Sequence, residues 1–362
     1  MTLKNRILSI CLVFSLLCLS VFTGFSCQAA PEVSAGSAIL MTADTGMVLV
    51  EKNAFEERPI ASTTKIMTAM LALEYPALDE WFTVDENAIQ VEGSSMGLRP
   101  GDQVTMRGLV YGMLLSSGND AANAAAVKIS GSIPAFVDKM NAKAQELGMK
   151  HTHFATPSGL DKGEEHYSTA YDMALLAREA LKNPDFVQIC SSKTAQVEYG
   201  NPPYKRWLKN HNRLLKEYPG AIGVKTGFTK KAGRCLVSAA ERDGVRLIAV
   251  VLNAPNDWSD SKALLDYGFS SVSNVKLDVD FSQSSIHVVG GSKEDCQVQA
   301  KDSFSVSLPI DKESDIVRKV YLDPFYYAPI EMGEEVGYAT YQLNGEIIYS
   351  IPLYAAENVT LE

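Results

Sequence analysis

The chain has 362 residues, of which 46% are hydrophobic and 21% charged, the composition of a soluble globular protein with room for two domains. Its net charge of −10 excludes sequence-independent nucleic-acid binding, which needs a basic surface, so no nucleic-acid partner is expected.

Residues 1–30 read as an export signal rather than as part of the fold. Lys4 and Arg6 form a basic start, Ile7 to Phe25 is an apolar run, and Cys27-Gln28-Ala29 is a small-x-small cleavage site. Cleavage is expected after Ala29 or Ala30, with action outside the cytoplasmic membrane. The run is long for a signal, which leaves an uncleaved anchor as the alternative. Three of the six cysteines lie in this segment. Cys190, Cys235 and Cys296 remain, an odd number without ligand-like spacing, and are expected as small buried residues.

Ser37 to Thr42 and Met47 to Val50 read as two strands joined by the turn Ala43-Asp44-Thr45-Gly46. A polar loop then leads to a helix that starts near Ser62-Thr63-Thr64-Lys65 and continues through Ile66, Met67, Met70 and Leu71. Residues three apart share a helix face, so the Ser62 hydroxyl and the Lys65 amine are expected within reach of each other. That pairing can activate a serine nucleophile. S-x-x-K alone decides little, because it occurs three times, at Ser62, Ser259 and Ser273.

From Trp81 to about Lys182 the pattern predicts helices broken by Gly, Pro and Asn. Gly93-Ser94-Ser95-Met96-Gly97 matches a nucleophile elbow, but no strand precedes it and a turn follows. Thr105 to Leu115 reads as a helix capped by Thr105. Ser117-Gly118-Asn119 then forms a tight connection to a second helix, able to aim a hydroxyl and an amide into a cleft. His151 and His153 have no Cys or Glu cluster beside them, so no metal and no cofactor is expected. Gly220 to Phe228, Arg234 to Ala240 and Val245 to Leu252 read as strands, and Ser261 to Phe269 as a helix. The fold class expected is α+β: a mostly antiparallel sheet enclosing a helical insertion. Residues 274–362 carry short alternating runs and the hairpin signal Asn344-Gly345, and predict a small all-β domain. The expected division is 1–30, 31–273 and 274–362.

S-x-x-K at Ser62, S-x-N at Ser117 and K-T-G at Lys225 occur in this order, each in a fitting setting. With Leu98 to Asp102, Pro157 to Asp161 and the residues around Lys225, the sequence between Ser37 and Phe269 resembles the penicillin-recognising serine enzymes. It is most similar to the D-alanyl-D-alanine carboxypeptidases among the low-molecular-mass penicillin-binding proteins. The resemblance implies a serine β-lactamase/transpeptidase-like fold and removal of the terminal D-alanine from peptidoglycan stem pentapeptides. β-Lactams would inhibit by the same acylation. It implies Ser62 as nucleophile, Lys65 as base and Ser117 as proton relay. Asn119 would hold the substrate amide, and Lys225 and Thr226 the terminal carboxylate. The oxyanion hole would be made by backbone N–H groups of Ser62 and of Phe228, the residue after Gly227. Arg213 is expected to add to the positive field.

Many such enzymes end in an amphipathic membrane helix. Ile351 to Glu362 is acidic at its end, interrupted by Pro352 and too short for one, which leaves membrane attachment open. Three alternatives stand beside this reading. A β-lactamase would need a deacylating glutamate, for which Glu179 has the wrong context, and would lack the β extension. A D,D-endopeptidase or transpeptidase would share the motifs. A non-catalytic peptidoglycan-binding protein would tolerate loss of Ser62.

Overall fold

The computed structural model describes residues 29–160, 165–310 and 312–362. The segment expected to be an export signal therefore lies outside the described residues except for Ala29 and Ala30, as does Asp161. Pro31–Glu362 forms one compact unit.

Five strands form its frame: β1 (Ser37–Thr42), β2 (Val48–Lys52), β3 (Ala221–Thr229), β4 (Gly233–Arg242) and β5 (Val245–Leu252). They lie in the order β2-β1-β5-β4-β3, and every neighbouring pair is antiparallel. The first strand thus closes against the last, and the chain between β2 and β3 is an insertion. All of β1 is buried, as a strand covered on both faces must be. Ile39 and Met41 face one hydrophobic cluster and Ala38 and Leu40 the other, following the two-residue period of a strand.

The insertion supplies α1 (Lys65–Leu73), α2 (Met106–Leu114), α3 (Asn119–Ser130), α4 (Ile133–Glu146), α5 (Ala170–Ala180), α6 (Pro184–Ser191) and the short α7 (Leu214–Glu217). Their starts follow the local sequence. The side chains of Thr105, Ser132, Thr169 and Asn183 each accept a backbone N–H at the head of α2, α4, α5 and α6. α1 is buried along its whole length and is the hub of the larger core. α8 (Asp257–Ser271) covers the opposite face of the sheet through Leu264 and Leu265.

The expected α+β class is borne out, with two corrections to its details. The stretch read as helices broken by Gly, Pro and Asn holds two short strands, Trp81–Thr83 and Gln103–Thr105, which join an unpredicted hairpin of Thr194–Gly200 and Pro203–Lys209 in a four-stranded sheet. Three residues are too few to show an alternating pattern. Ser62 also lies in a single 3-10 turn, Ala61–Thr64, with the α-helix starting only at Lys65.

Beyond α8 the chain is all β. Val272–Lys276 pairs with Ser305–Pro309, and six further strands form a second sheet around a separate hydrophobic cluster. Asn344 and Gly345, with φ of 52° and 86°, make the expected two-residue turn between Glu335–Leu343 and Glu346–Ala355. The Asp44 carboxylate, in the β1–β2 turn, accepts the Ser307 N–H at 2.6 Å, and Met47 packs on the second cluster. Among the described residues no helix is long and apolar enough to cross a membrane.

Candidate active site

The head of α1, the α2–α3 connection and the end of β3 meet at one cleft. Its cavity of about 310 Å³ is lined by Ser62, Ser94, Ser117, His211, Thr226, Gly227, Phe228, Arg234, Asp257 and Trp258. β3 runs close against the Ser62 turn. A Cβ added to Gly227 would stand 3.0 Å from the Ile60 carbonyl oxygen and 3.2 Å from the Ser62 nitrogen, tighter than ordinary contact, so glycine there lets the two backbones meet.

Lys65 lies directly beneath Ser62 and is fully buried. Its Nζ is 2.8 Å from Ser62 Oγ, 2.7 Å from Asn119 Oδ1 and 2.7 Å from the Ser158 carbonyl oxygen. Burial, and then the nearby Lys225 cation, hold the Lys65 amine well below its ordinary range, against a smaller pull upward from Asp120. A neutral amine has two N–H donors and one lone pair. Asn119 Oδ1 and the Ser158 carbonyl can only accept, so they take the two donors. The lone pair is left toward the Ser62 hydroxyl.

The surroundings fix these groups in place. Asn119 Nδ2 donates to the Glu92 carbonyl at 2.7 Å, which orients its oxygen toward Lys65. Ser117 is nearly buried and holds a φ of 58°, a left-handed conformation uncommon for serine, as the tight α2–α3 connection requires. Lys225 is also buried, and its Nζ donates to the Thr226 carbonyl at 2.9 Å. Burial lowers the Lys225 amine to about 7. The pKa of His211, exposed on the cleft wall, is lowered by desolvation, then by Lys225 and Lys209.

Of the residues singled out in the sequence, Ser62, Ser117, Thr226, Gly227 and Phe228 line the cavity, and Lys65, Asn119 and Lys225 lie buried behind it. Arg213 does not join them. Its guanidinium pairs with Glu217 at 2.8 Å and lies over the Trp258 ring, in a neighbouring cavity of about 410 Å³. The decoy elbow has its own role: Ser95 donates to Asp120 at 2.6 Å, and the N–H groups of Met96, Gly97 and Leu98 donate to the same buried carboxylate. Asp120 thereby pins the loop that brings Ser94 to the cleft.

Sequence reasoning missed contributors from three segments. Arg234 on β4 enters the cleft from opposite Phe228, a placement that appears only once strand register is known. Asp257 and Trp258 come from the head of α8, ahead of the helix start expected at Ser261. The third, buried His166, holds the backbone before Ser62. The Ala155 N–H donates to Nδ1 at 3.0 Å, so Nε2 carries the proton and donates to Thr64 Oγ1 at 2.8 Å, whose own proton goes to the Ala61 carbonyl at 2.8 Å. Ala61 has a φ of 48°, strained for alanine, and this chain of bonds supports it.

The fold, with a serine and a buried lysine at the head of its central helix, is that of the penicillin-recognising serine hydrolases. Residues 25–256 match the D-alanyl-D-alanine carboxypeptidase family model, and residues 275–361 match the C-terminal domain of penicillin-binding protein 5. The chain is 36% identical to the D-alanyl-D-alanine carboxypeptidase DacF of Bacillus subtilis over 337 residues, covering 90% of this chain and 86% of that protein. It is also 36% identical to DacC of Escherichia coli over 350 residues, covering 91% and 85%. Penicillin-binding protein 5 of Haemophilus influenzae superposes with a TM-score of 0.73 at 32% identity, over 92% of this chain and 99% of that one. The chain belongs to the D-alanyl-D-alanine carboxypeptidase family. It is a serine-type carboxypeptidase of the bacterial cell wall, and inhibition by β-lactams is a general property of its family.

Proposed function

We propose that this carboxypeptidase acts through an acyl-enzyme on Ser62, with Lys65 as the base. The carrying observation is the Lys65 amine, which touches Ser62, Asn119 and the Ser158 carbonyl, so that in its neutral form Asn119 and Ser158 take its two donors and the lone pair is left for Ser62. Ser62 Oγ attacks the carbonyl between the two terminal D-alanines, and its proton passes to Lys65. The carbonyl oxygen becomes an oxyanion held by the N–H groups of Ser62 and Phe228. As the C–N bond breaks, the proton reaches the leaving D-alanine nitrogen through Ser117. Asn119 orients the substrate amide, and Lys225 and Thr226 receive the terminal carboxylate. Water then cleaves the ester and restores Ser62. A β-lactam enters the same path, but its leaving amine stays tethered, and the ester persists.

The substrate in this reading is the stem pentapeptide of peptidoglycan, met outside the cytoplasm after export through residues 1–30. The catalytic part spans 31–273 and the β-rich part 274–362, a division supported by the two family models and by the separate hydrophobic clusters. The test is D-alanine release from a soluble pentapeptide ending in D-Ala-D-Ala. Wild-type protein releases it and Ser62→Ala does not. Equal release by Ser62→Ala would overturn the assignment.

A further inference from the structure

The hairpin of Thr194–Gly200 and Pro203–Lys209 turns one face to the core and the other to solvent. Val197, Tyr199 and Leu208 pack into the larger hydrophobic cluster. The two-residue period of a strand then puts Thr194, Gln196 and Glu198 of the first strand, with Lys205, Trp207 and Lys209 of the second, on the outer face. In register Lys209 faces Thr194, Trp207 faces Gln196 and Lys205 faces Glu198. Trp207 is 71% exposed, with one lysine on either side of it along the strand. Among the described residues neither lysine forms an ion pair, even Lys205 opposite Glu198. On a chain of net charge −10 this is a local basic strip with an aromatic ring at its centre.

The strip is rigid and leads into the cleft. From the other face of the hairpin, the Arg206 guanidinium lies over the rings of Tyr199 and Tyr204, at 4.2 and 4.3 Å, and donates to the Gly97 carbonyl at 3.2 Å. The Tyr199 hydroxyl donates to the Met96 carbonyl. Both bonds tie the hairpin to the loop that brings Ser94 to the cleft. Past Lys209, the Asn210 amide donates to the Cys190 and Ser192 carbonyls at 3.1 Å, and the His211 N–H donates to the Leu115 carbonyl at 3.3 Å. His211 lines the Ser62 cavity. Four residues separate it from Trp207, so the ring stands at most about 14 Å from the cleft wall along the backbone. One extended polymer can reach both.

The chemistry of the strip selects its occupant. The flat face of a sugar presents C–H bonds, which an aromatic face with its negative quadrupole attracts. Thr194, Gln196 and Glu198 beside the ring offer a hydroxyl, an amide and a carboxylate to sugar hydroxyls. Those polar neighbours do not suit the acyl chains of a membrane, which seek a broad apolar face. Lys205 and Lys209 suit the free carboxylates of peptides attached to the sugars. Amino sugars bearing acidic peptides are the make-up of peptidoglycan.

We infer that the outer face of this hairpin, centred on Trp207 and flanked by Lys205 and Lys209, is an auxiliary binding site for the peptidoglycan strand beside the catalytic cleft. Such a site presupposes the proposed cleavage of peptidoglycan stem peptides and adds to it a preference for polymer over free peptide. Trp207 holds a sugar ring, and the lysines offset the repulsion between an acidic enzyme and an acidic polymer.

The test compares a free pentapeptide ending in D-Ala-D-Ala with soluble, uncrosslinked peptidoglycan strands whose stems have the same ending. In Trp207→Ala, KM for the strands rises about five- to fiftyfold with little change in kcat, and the free peptide is cleaved as by wild type, which also shows that the variant is folded. Trp207→Phe keeps most of the affinity, and Lys205→Glu raises KM for the strands alone. Higher ionic strength weakens wild type on the strands but not on the peptide. Tyr327→Ala, which removes a ring 70% exposed in the β-rich part, matches wild type on both substrates. An unchanged KM for the strands in Trp207→Ala, an equal loss on both substrates, or an equal loss in Tyr327→Ala would overturn the inference. So would Trp207→Ala losing only co-sedimentation with anionic phospholipid vesicles, which would make the strip a membrane contact. Wild-type protein that released D-alanine from neither substrate would instead refute the underlying reading, a result distinct from these.

Discussion

Lys65 Nζ stands 2.8 Å from Ser62 Oγ, and the two other groups it touches, Asn119 Oδ1 and the Ser158 carbonyl, can only accept. This relationship makes the site directional, because a neutral lysine has no place for its lone pair except toward the serine. Lys65→Arg keeps a cation of similar reach but cannot give up its proton. The expected outcome is a fall in the acylation rate of at least about a thousandfold, read by stopped-flow with a chromogenic β-lactam.

The same relationship sets the pH dependence. Activity requires neutral Lys65, whose proton affinity burial and Lys225 reduce. Acylation is expected to fall as pH falls through the lowered Lys65 value. Removing the Lys225 charge raises Lys65, so the acid limb of kcat/KM in Lys225→Met moves to higher pH.

Stability should carry a linked signature of Lys225. Its folded value of about 7 lies below the unfolded value near 10.5, so between them the unfolded chain binds more protons and rising pH favours the folded state. Lys225→Met escapes this effect. Its stability relative to wild type is expected to be most favourable at or below pH 7 and to narrow by up to about 1.4 kcal/mol per pH unit toward pH 9. Urea melts across that range provide the measurement.

Thr64 links His166 to the Ala61 carbonyl, in the peptide bond that precedes Ser62. Thr64→Val removes both hydrogen bonds while preserving shape. It should cost about 1–3 kcal/mol of stability and lower kcat about tenfold, with little change in KM.

Gly159 lies against the same carbonyl. With φ of +79°, an added Cβ would come within 1.9 Å of the Ala61 oxygen, and backbone cannot move aside cheaply. Gly159→Ala is expected to lose at least about 3 kcal/mol of stability or fail to fold, whereas Gly131→Ala, with φ of +76° and open space around it, should cost only about 1–2 kcal/mol. Thermal melts of the two variants decide this.

Much of this was legible in the sequence because the chemistry is local or strictly periodic. Ser62 and Lys65 lie three residues apart, the buried parts of β1 and β5 are the apolar runs Ala38 to Met41 and Leu247 to Leu252, and Asn344-Gly345 announces its own turn. The three remaining cysteines are buried and free, as their number and spacing suggested, and burial pushes the Cys190 thiol up to about 12. What was not legible depends on long-range placement. Arg234 reads as an ordinary strand residue until its register opposite Phe228 is known, and Arg213 reads as a cleft residue until Glu217 is found one helical turn away. His166 had no motif around it because its partners, Thr64 and Ala155, lie on other segments. The strands at Trp81 and Gln103 pair with each other across about twenty residues and join a hairpin about a hundred residues further on through Gln103 and Gly200.

The most direct test of the central claim is the intact mass of the purified protein after incubation with benzylpenicillin, followed by peptide mapping. One stable adduct per chain, mapped to Ser62 and absent from Ser62→Ala, is the predicted result. No adduct, whether the penicillin stays intact or is rapidly consumed, or an adduct that persists in Ser62→Ala, would contradict it.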